Sequence, residues 1–364
     1  MRFSVLGLVM VVVIFLLMVS PALGQPTDWG ATRDYLKTQQ NADGGFGNGF
    51  TPESAVGSTA DAVMAILAFD GEIALFDQGG NTPLTYLAKN ASSATSAGDL
   101  SKLILALVPA GEDPRTFGGV DSVARLEGLI GAGGRIGGPT DTFVSTLMAV
   151  LALKGAGRPI PAPSLDLIRK AQQEDGGWAW DGTAGTAVDT NSTALAVQAL
   201  VAGGEVAGSS VVARALEYYK GIQNGDGGWP YQNPSDFDTE TDTNSTALTI
   251  QAILAAGQDP AGAGWATAAG KTPLAALEAL HNPSGAWAWK ASAPADNLLA
   301  TVQAAPALAR RILPMASTGV GAAETAAPGT RRATGGAVPD IAWIVAIGGL
   351  VLAAGGYLLL KRRR

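Results

Sequence analysis

The sequence predicts an all-α fold in which six helix hairpins close into a double ring, followed by a single C-terminal transmembrane helix. Three observations support this prediction. A short phrase that ends in Gly-Gly and an aromatic residue recurs along the chain. An alanine-rich phrase follows it at intervals of tens of residues, and a long apolar run lies near the C-terminus. Such repetition is typical of architectures in which each unit buries its apolar face against its neighbours.

The N-terminal residues 1–24 are predicted to be a secretory signal peptide. An apolar run follows Arg2, and small residues at Ala22 and Gly24 precede a cleavage site ahead of Gln25. An uncleaved membrane anchor is the alternative, but the apolar run is short for a span.

Residues 341–360 form an apolar stretch long enough to cross a bilayer, and cations occupy 361–364 directly after it. Positive charge beside a span stays on the cytoplasmic side. We therefore predict a single-pass protein of the cell membrane whose body, 25–313, lies on the extracytoplasmic side. Residues 314–340 hold little apolar surface to offset chain entropy, so they are predicted to be a flexible stalk.

The charge and the amino-acid composition exclude several function classes. The net charge of the whole chain at neutral pH is −7. The body is more acidic, because cations are concentrated in the N- and C-terminal segments outside it. An acidic body does not favour nucleic acid as a partner, since phosphate binding needs basic patches. The chain has no cysteine, which removes both disulfides and thiolate chemistry. Stability must therefore come from packing.

Alignment on the alanine-rich phrase divides the body into six units. The phrase is anchored at Ser58, Asp99, Ser145, Ser192, Ser245 and Asn297. Each unit is predicted to contain an amphipathic outer helix and an inner helix that is apolar on nearly every side, which is typical of a buried helix. Six such pairs suit a closed double ring whose inner helices line a central cavity. No strand is predicted.

The Gly-Gly phrase connects the two helices of a unit. It reads in full from Gln172 to Trp178 and from Gln223 to Trp229, while His281 begins a degraded copy. Adjacent glycines allow the chain to reverse sharply, and the phrase's polar and aromatic side chains can bond and cover exposed helix ends. A structural role is therefore predicted for Gln40, Asp43, Gln172, Asp175, Trp178, Gln223, Asp226, Trp229 and Trp287.

The repeated Gln-x-x-Asp-Gly-Gly-Trp phrase, followed by an alanine-rich helix, resembles the repeat of squalene and oxidosqualene cyclases and of protein prenyltransferases. The resemblance covers about residues 28–312. It implies an (α/α)6 toroid of six helix-hairpin repeats. It also implies that the phrase serves chiefly to hold the structure together.

The acid chemistry of the cyclases is not expected to accompany the fold. In the cyclases that this chain resembles, an aspartic acid of an Asp-x-Asp-Asp-Thr-Ala phrase protonates the substrate. Here two repeats keep the first acid, as Asp189 and Asp242, and replace the next two acids with asparagine and serine. Neither asparagine nor serine can supply the proton, so cyclisation by protonation is not predicted.

No metal site and no cofactor are predicted either. The zinc site of the prenyltransferases uses Asp, Cys and His ligands, and this chain has no cysteine and a single histidine, His281. The segment from Asp236 to Asp242 has alternate acids like the start of a calcium loop, but it lacks that loop's glycine and final glutamate.

Two groups of residues remain as candidates for a functional site. Asp61, Asp189 and Asp242 lie near the starts of inner helices, where acids could act on a sugar or could simply cap the helices. They are weak catalytic candidates. Trp180, Tyr231 and Trp289 follow the Gly-Gly phrase by two positions and are predicted to bind a ligand by stacking at the rim of the cavity, although packing between loops explains them equally well.

The predicted function is a membrane-tethered, non-catalytic module that binds a ligand or acts as a scaffold. Its predicted partners are the membrane, through the C-terminal helix, and an apolar small molecule or another surface molecule. Vitamin carriers of the cobalamin-binding type, which share such a ring, provide a comparable case. The alternative is an enzyme, either an atypical terpenoid cyclase or a surface enzyme that acts on glycans at an acidic mouth.

Overall fold

The computed structural model describes residues 29–49, 51–69 and 71–316. In these residues outer and inner helices alternate along the chain. The outer helices are α1 (Trp29–Gln39), α3 (Pro83–Asn90), α5 (Ser122–Glu127), α7 (Ala162–Lys170), α9 (Ser210–Ile222) and α11 (Pro273–Glu278). The inner helices are α2 (Val56–Ala68), α4 (Ala97–Leu107), α6 (Phe143–Gly155), α8 (Thr190–Ala202), α10 (Thr243–Ala255) and α12 (Leu298–Leu308). Short 3-10 turns occupy Ile73–Leu75, Ala91–Ser93 and Phe117–Gly119.

The six inner helices form a closed ring. Each packs against the inner helix of the next unit, and α12 packs against α2. Alanines on these helices, such as Ala60, Ala149, Ala196 and Ala252, are fully buried and allow neighbouring backbones to approach closely. The helical repeat fold indicated by the sequence is confirmed.

The predicted fold class was wrong in including a transmembrane helix. Among the helices of residues 29–49, 51–69 and 71–316, none combines the length and the apolar character that crossing a bilayer requires. The span predicted at 341–360, the signal peptide predicted at 1–24 and most of the stalk predicted at 314–340 lie outside the described residues.

The expectation of no strands was also wrong, because the last unit contains a small antiparallel hairpin. Strand β1 (Trp287–Lys290) pairs with β2 (Ala293–Asn297), with Trp287 opposite Asn297. The strands are too short to show a clear alternation in the sequence. They form because two residues, 291–292, turn the loop back on itself directly before α12.

In five of the six units, a threonine near the start of the inner helix ties that helix to the loop that precedes it. Its hydroxyl accepts a hydrogen bond from the backbone N–H of an aromatic residue or an isoleucine in that loop, at 2.9 to 3.0 Å. The pairs are Thr59 with Phe46, Thr146 with Ile136, Thr193 with Trp178, Thr246 with Trp229 and Thr301 with Trp287. These bonds fix the angle at which each loop meets its inner helix.

The glutamine of the Gly-Gly phrase links neighbouring units. Gln172 Nε2 donates to the carbonyl of Gly176 in its own loop and to the carbonyl of Val211 in the next unit, both at 2.8 Å. Gln40 and Gln223 make the corresponding pairs of bonds. Because each amide satisfies one carbonyl on either side of a unit boundary, it sets the spacing between units.

The aspartate of the phrase holds the turn itself. Oδ1 of Asp43, Asp175 and Asp226 accepts the backbone N–H two residues further on, at 2.9, 3.1 and 3.0 Å respectively. This short-range bond is a common way in which aspartate stabilises a turn.

The tryptophans of the phrase cover the end of the outer helix in their own unit. The indole N–H of Trp178 donates to Ile168 O at 2.7 Å, and that of Trp229 donates to Tyr219 O at 2.8 Å. Trp287 donates to Leu277 O in the same way at 3.0 Å. All three side chains are fully buried, so each both fills the space between the two helices and satisfies a carbonyl at a helix end.

A glycine in the connecting loop lies close to the backbone at the start of the next outer helix. Gly176 has φ +97°, and a Cβ atom there would lie 2.3 Å from Arg214 O. Gly285 has φ +88°, and its Cβ would lie 2.2 Å from the backbone carbon of Ala31 in α1. The contact at Gly285 joins the sixth unit to the first and thus closes the outer ring.

Candidate ligand-binding site in the central bore

The inner helices enclose a cavity of about 280 Å³ on the axis of the ring. All six inner helices contribute to its wall, with Leu313 from the segment that follows α12. The apolar lining includes Met64, Val144, Met148, Leu195, Leu248 and Val302. We call this cavity the bore.

A second cavity of about 260 Å³ lies beside the bore, and we call it the vestibule. Its lining includes Asn48, Ser58 and Leu298 from the loops and helix starts of the first and last units. Asp61, Lys102 and Val302 line both cavities. The two cavities therefore meet at these three side chains.

An ion pair stands at this meeting point. Lys102 Nζ on α4 lies 2.6 Å from Asp61 Oδ2 on α2. The Asp61 charge raises the pKa of Lys102 despite the opposing effect of burial, and Asp99 adds to the increase. The lysine is therefore held as a cation, and the pair brings a matched positive and negative charge to the cavity wall.

Amide side chains add polar groups to the bore. Asn191 and Gln251 both line it, and Gln251 is only 4% exposed. Within the described residues, Asn191 Oδ1 and Gln251 Oε1 are buried oxygens without a hydrogen-bond partner. Gln303, also in the lining, accepts a bond from Asn244 Nδ2 at 2.8 Å. The bore thus combines an apolar wall with a few acceptors whose bonding is incomplete.

The segment after α12 closes one side of the bore. The backbone N–H of Leu313 donates to Gln198 Oε1 on α8 at 3.1 Å, and the Leu313 side chain joins the lining. Pro314 packs against α6, since a Cβ added at Gly155 would lie 3.1 Å from Pro314 Cβ. Met315 is also buried.

The three weak catalytic candidates occupy different environments. Asp61 faces both cavities, as described above. Asp189 and Asp242 lie at the starts of α8 and α10, and Oδ1 of each accepts a backbone N–H three residues further on, at 2.7 and 2.8 Å. Neither of these two acids belongs to the lining of the bore or the vestibule. They cap helices, and the structure does not bring the three acids together.

Burial alters the proton affinity of both capping acids. It raises the pKa of Asp189 against the effect of the bonds from Ser192, and it raises the pKa of Asp242 to about 6 against the bonds from Ser245. Asp242 is 5% exposed, so its charged form loses most of its hydration.

We expect the raised pKa of Asp242 to make the protein less stable as the pH rises. Between about pH 4 and pH 6 the folded state binds more protons than the unfolded state, so the free energy of unfolding falls across this range. Asparagine also caps helices but carries no charge. Asp242→Asn should therefore gain on the order of 2 kcal/mol relative to the wild type between pH 4 and pH 7. Urea unfolding of both proteins at several pH values checks this. A difference in the free energy of unfolding that does not change with pH would contradict it.

Of the predicted ligand-binding aromatics, Trp180 and Tyr231 lie in loops, and Trp289 lies in strand β1. Trp180, Tyr231 and Trp289 are 48%, 43% and 45% exposed, and they line neither the bore nor the vestibule. Burial and the nearby Asp189 carboxylate raise the pKa of Tyr231 to about 12. Lys290 Nζ lies 4.7 Å from the centre of the Trp289 ring. Their role as ligand-binding residues stays a prediction.

Several residues of the site are not evident from the sequence. The Asp61–Lys102 pair joins two units, so no local sequence motif indicates it. Gln198 and Gln251 occupy the same position in two consecutive alanine-rich phrases, and this recurrence was the available signal for the polar groups of the inner ring. Leu313 could not be found, because nothing in its neighbourhood marks a return to the bore.

Part of the chain matches a known family. Residues 136–295, less than half of the chain, match the family model described as the squalene-hopene cyclase C-terminal domain. This region contains the loops that carry Trp178, Trp229 and Trp287. No curated protein sequence matches the chain.

The fold is similar to that of solved type II terpene cyclases. Apo MstE from Scytonema gives a TM-score of 0.54 at 15% identity, with 77% of this chain and 96% of that chain covered. A single-residue variant of MstE, in complex with the substrate geranylgeranyl dihydroxybenzoate, gives 0.55 at 14% identity, with coverage of 77% and 95%. Identity this low establishes a common fold and nothing about activity.

Proposed function

The chain is squalene-cyclase-like, and we propose that it is a non-catalytic binding module whose bore holds an apolar small molecule. The observation that carries this proposal is the composition of the bore wall. It is largely apolar, it is built from all six inner helices, and the one carboxylate in its described lining, Asp61, is paired with a lysine. A cavity with an apolar wall and a few polar groups is typical of a small-molecule site.

The absence of a suitable acid supports binding rather than cyclisation. Asn191 occupies a position where the cyclase phrase has an acid, and it is the residue of that phrase that lines the bore. Asp61 is the only acid in the described lining, and its Oδ2 already accepts a 2.6 Å hydrogen bond from Lys102 Nζ. Asp189 and Asp242 have raised pKa values but lie outside the lining.

A polyprenyl chain is the class of ligand that fits this proposal. MstE, which has the same fold, is described with geranylgeranyl dihydroxybenzoate as substrate, a molecule that carries such a chain. The bore offers flexible side chains such as Met64 and Met148, which adapt to irregular apolar shapes.

The proposal is tested with labelled farnesene, an apolar polyprenyl hydrocarbon, in equilibrium dialysis with the full chain. Saturable binding is expected, and the ligand should be recovered unchanged. Leu248 lines the bore and is only partly buried, so Leu248→Trp should fill the cavity and weaken binding by at least about tenfold. Val206→Trp, at a position that is 68% exposed, is the matched control and should bind normally.

Two results would overturn this function. Equal binding by the Leu248→Trp variant would mean that the ligand lies outside the bore. A cyclised product would establish the alternative, a cyclase-like enzyme.

Export of the body and a macromolecular partner at the surface stay predictions, since the residues that suggested them lie outside the described part of the chain.

A further inference from the structure

We infer that the Asp61–Lys102 pair recognises an uncharged hydroxyl group at the end of the bound apolar molecule and discriminates against an anionic headgroup. This inference rests on the proposed function, and it specifies which end group the site accepts. The pair lies where the bore meets the vestibule, so it faces the end of any chain that fills the bore.

The hydrogen-bonding capacity of the pair is only partly used. Lys102 Nζ has three N–H donors, and among the described residues its hydrogen bond goes to Asp61 Oδ2. The side chains are 35% and 16% exposed, respectively, so a ligand can reach both. A hydroxyl group both donates and accepts, and it can therefore donate to Asp61 and accept from Lys102 at the same time.

The local charge opposes an anion. Lys102 is the only cation in the described linings of the two cavities. Its charge is matched by Asp61, and Asp99 lies close enough to raise the lysine's pKa further. The cluster of these three residues has a net negative charge. A diphosphate entering there would meet like charge in a partly desolvated place, which is costly.

The amide side chains of the bore are a second feature that favours a ligand group with a hydrogen-bond donor. Asn191 Oδ1 and Gln251 Oε1 have no hydrogen-bond partner among the described residues, and leaving such an acceptor unsatisfied is unfavourable. A ligand hydroxyl has one hydrogen, so it can donate either to Asp61 or to one of these oxygens. A fully ionised phosphate supplies no donor to any of them.

The inference is tested by comparing farnesene, farnesol and farnesyl diphosphate in equilibrium dialysis with the full chain. Farnesol should bind at least about tenfold more tightly than farnesene and than the diphosphate. Asp61→Asn removes the negative charge and leaves Lys102 cationic, so the ratio of the farnesol to the diphosphate affinity should fall by at least about tenfold.

Glu127→Gln is the matched control. It removes the carboxylate of another pair, Arg158–Glu127, which also has a separation of 2.6 Å but lines neither cavity. This variant should keep the wild-type preference. The double variant Asp61→Asn, Lys102→Met removes both charges, and the ratio of its farnesol affinity to its farnesene affinity should fall to about one. It provides a second test if Asp61→Asn alone does not fold.

The outcomes separate this inference from the proposed function. If farnesene and farnesol bind equally well, or if Asp61→Asn leaves the preference unchanged, recognition of the hydroxyl is wrong and apolar binding stands. A diphosphate that binds the wild type as tightly as farnesol also overturns the inference. If none of the three ligands binds, the proposed function itself fails.

Discussion

Gly285→Ala is expected to lower the free energy of unfolding by about 3 kcal/mol or more. The added methyl group would lie 2.2 Å from the backbone carbon of Ala31 and 2.4 Å from the backbone nitrogen of Thr32. These atoms belong to helix α1 and cannot rotate away as a side chain could. The last unit would therefore have to separate from the first at the point where the outer ring closes. Denaturation in guanidinium chloride, followed by far-UV circular dichroism, measures the loss.

Gly257→Ala is the matched control for this prediction. Gly257 also has a positive φ, +71°, but a Cβ atom there would have no neighbour within 4 Å. The substitution should cost about 1 kcal/mol, the typical cost of placing a non-glycine residue in this backbone conformation. Equal losses in the two variants would show that backbone strain, and not the contact that closes the ring, accounts for the effect.

Trp229→Ala is expected to destabilise the fold by about 3 to 5 kcal/mol. The side chain is fully buried, and its ring packs in T-shaped contacts with Tyr219 and Trp265 at centroid distances of 6.0 Å. Its removal leaves a large cavity between two units. It also leaves Tyr219 O without the 2.8 Å hydrogen bond from the indole. Thermal and urea unfolding of the full chain test this expectation.

Two further variants separate the contributions of packing and hydrogen bonding. Trp229→Phe keeps most of the packing but loses the indole donor, so its loss should be smaller, about 1 to 3 kcal/mol. Trp180→Ala removes a tryptophan that is 48% exposed in the corresponding loop and should change stability by less than about 1 kcal/mol. If Trp180→Ala lowers the free energy of unfolding as much as Trp229→Ala does, the structural role assigned to the tryptophan that directly follows the two glycines is contradicted.

The repeat could be recognised in the sequence wherever the characteristic residues of the Gly-Gly phrase are present. The loops from Gln172 and from Gln223 were found because glutamine, aspartate, two glycines and tryptophan recur at fixed spacing. An additional copy was missed. Ile136 forms the same bond to a threonine as the tryptophans do, and Gly134 makes the same close approach to the next outer helix. That copy retains the backbone geometry of the turn but not the characteristic side chains. It is therefore difficult to recognise from its residue types.

The candidate site was less predictable than the loops. The sequence predicts Trp180, Tyr231 and Trp289 at the rim, whereas the described cavities are lined by other residues. Asp61 was selected for its position near a helix start, and its partner Lys102 was not. The two lie on neighbouring inner helices and meet only when the ring assembles.

The sequence by itself determined the unit of this protein, an outer and an inner helix joined by a glycine turn. It could do so because helix periodicity, capping and positive φ are local properties that depend on a few neighbouring residues. Only the tertiary structure decided that α12 packs on α2, that Leu313 returns to the bore and that Lys102 faces Asp61. These contacts depend on how the small rotations between successive units add up to a closed ring, and no local segment of the chain encodes that sum.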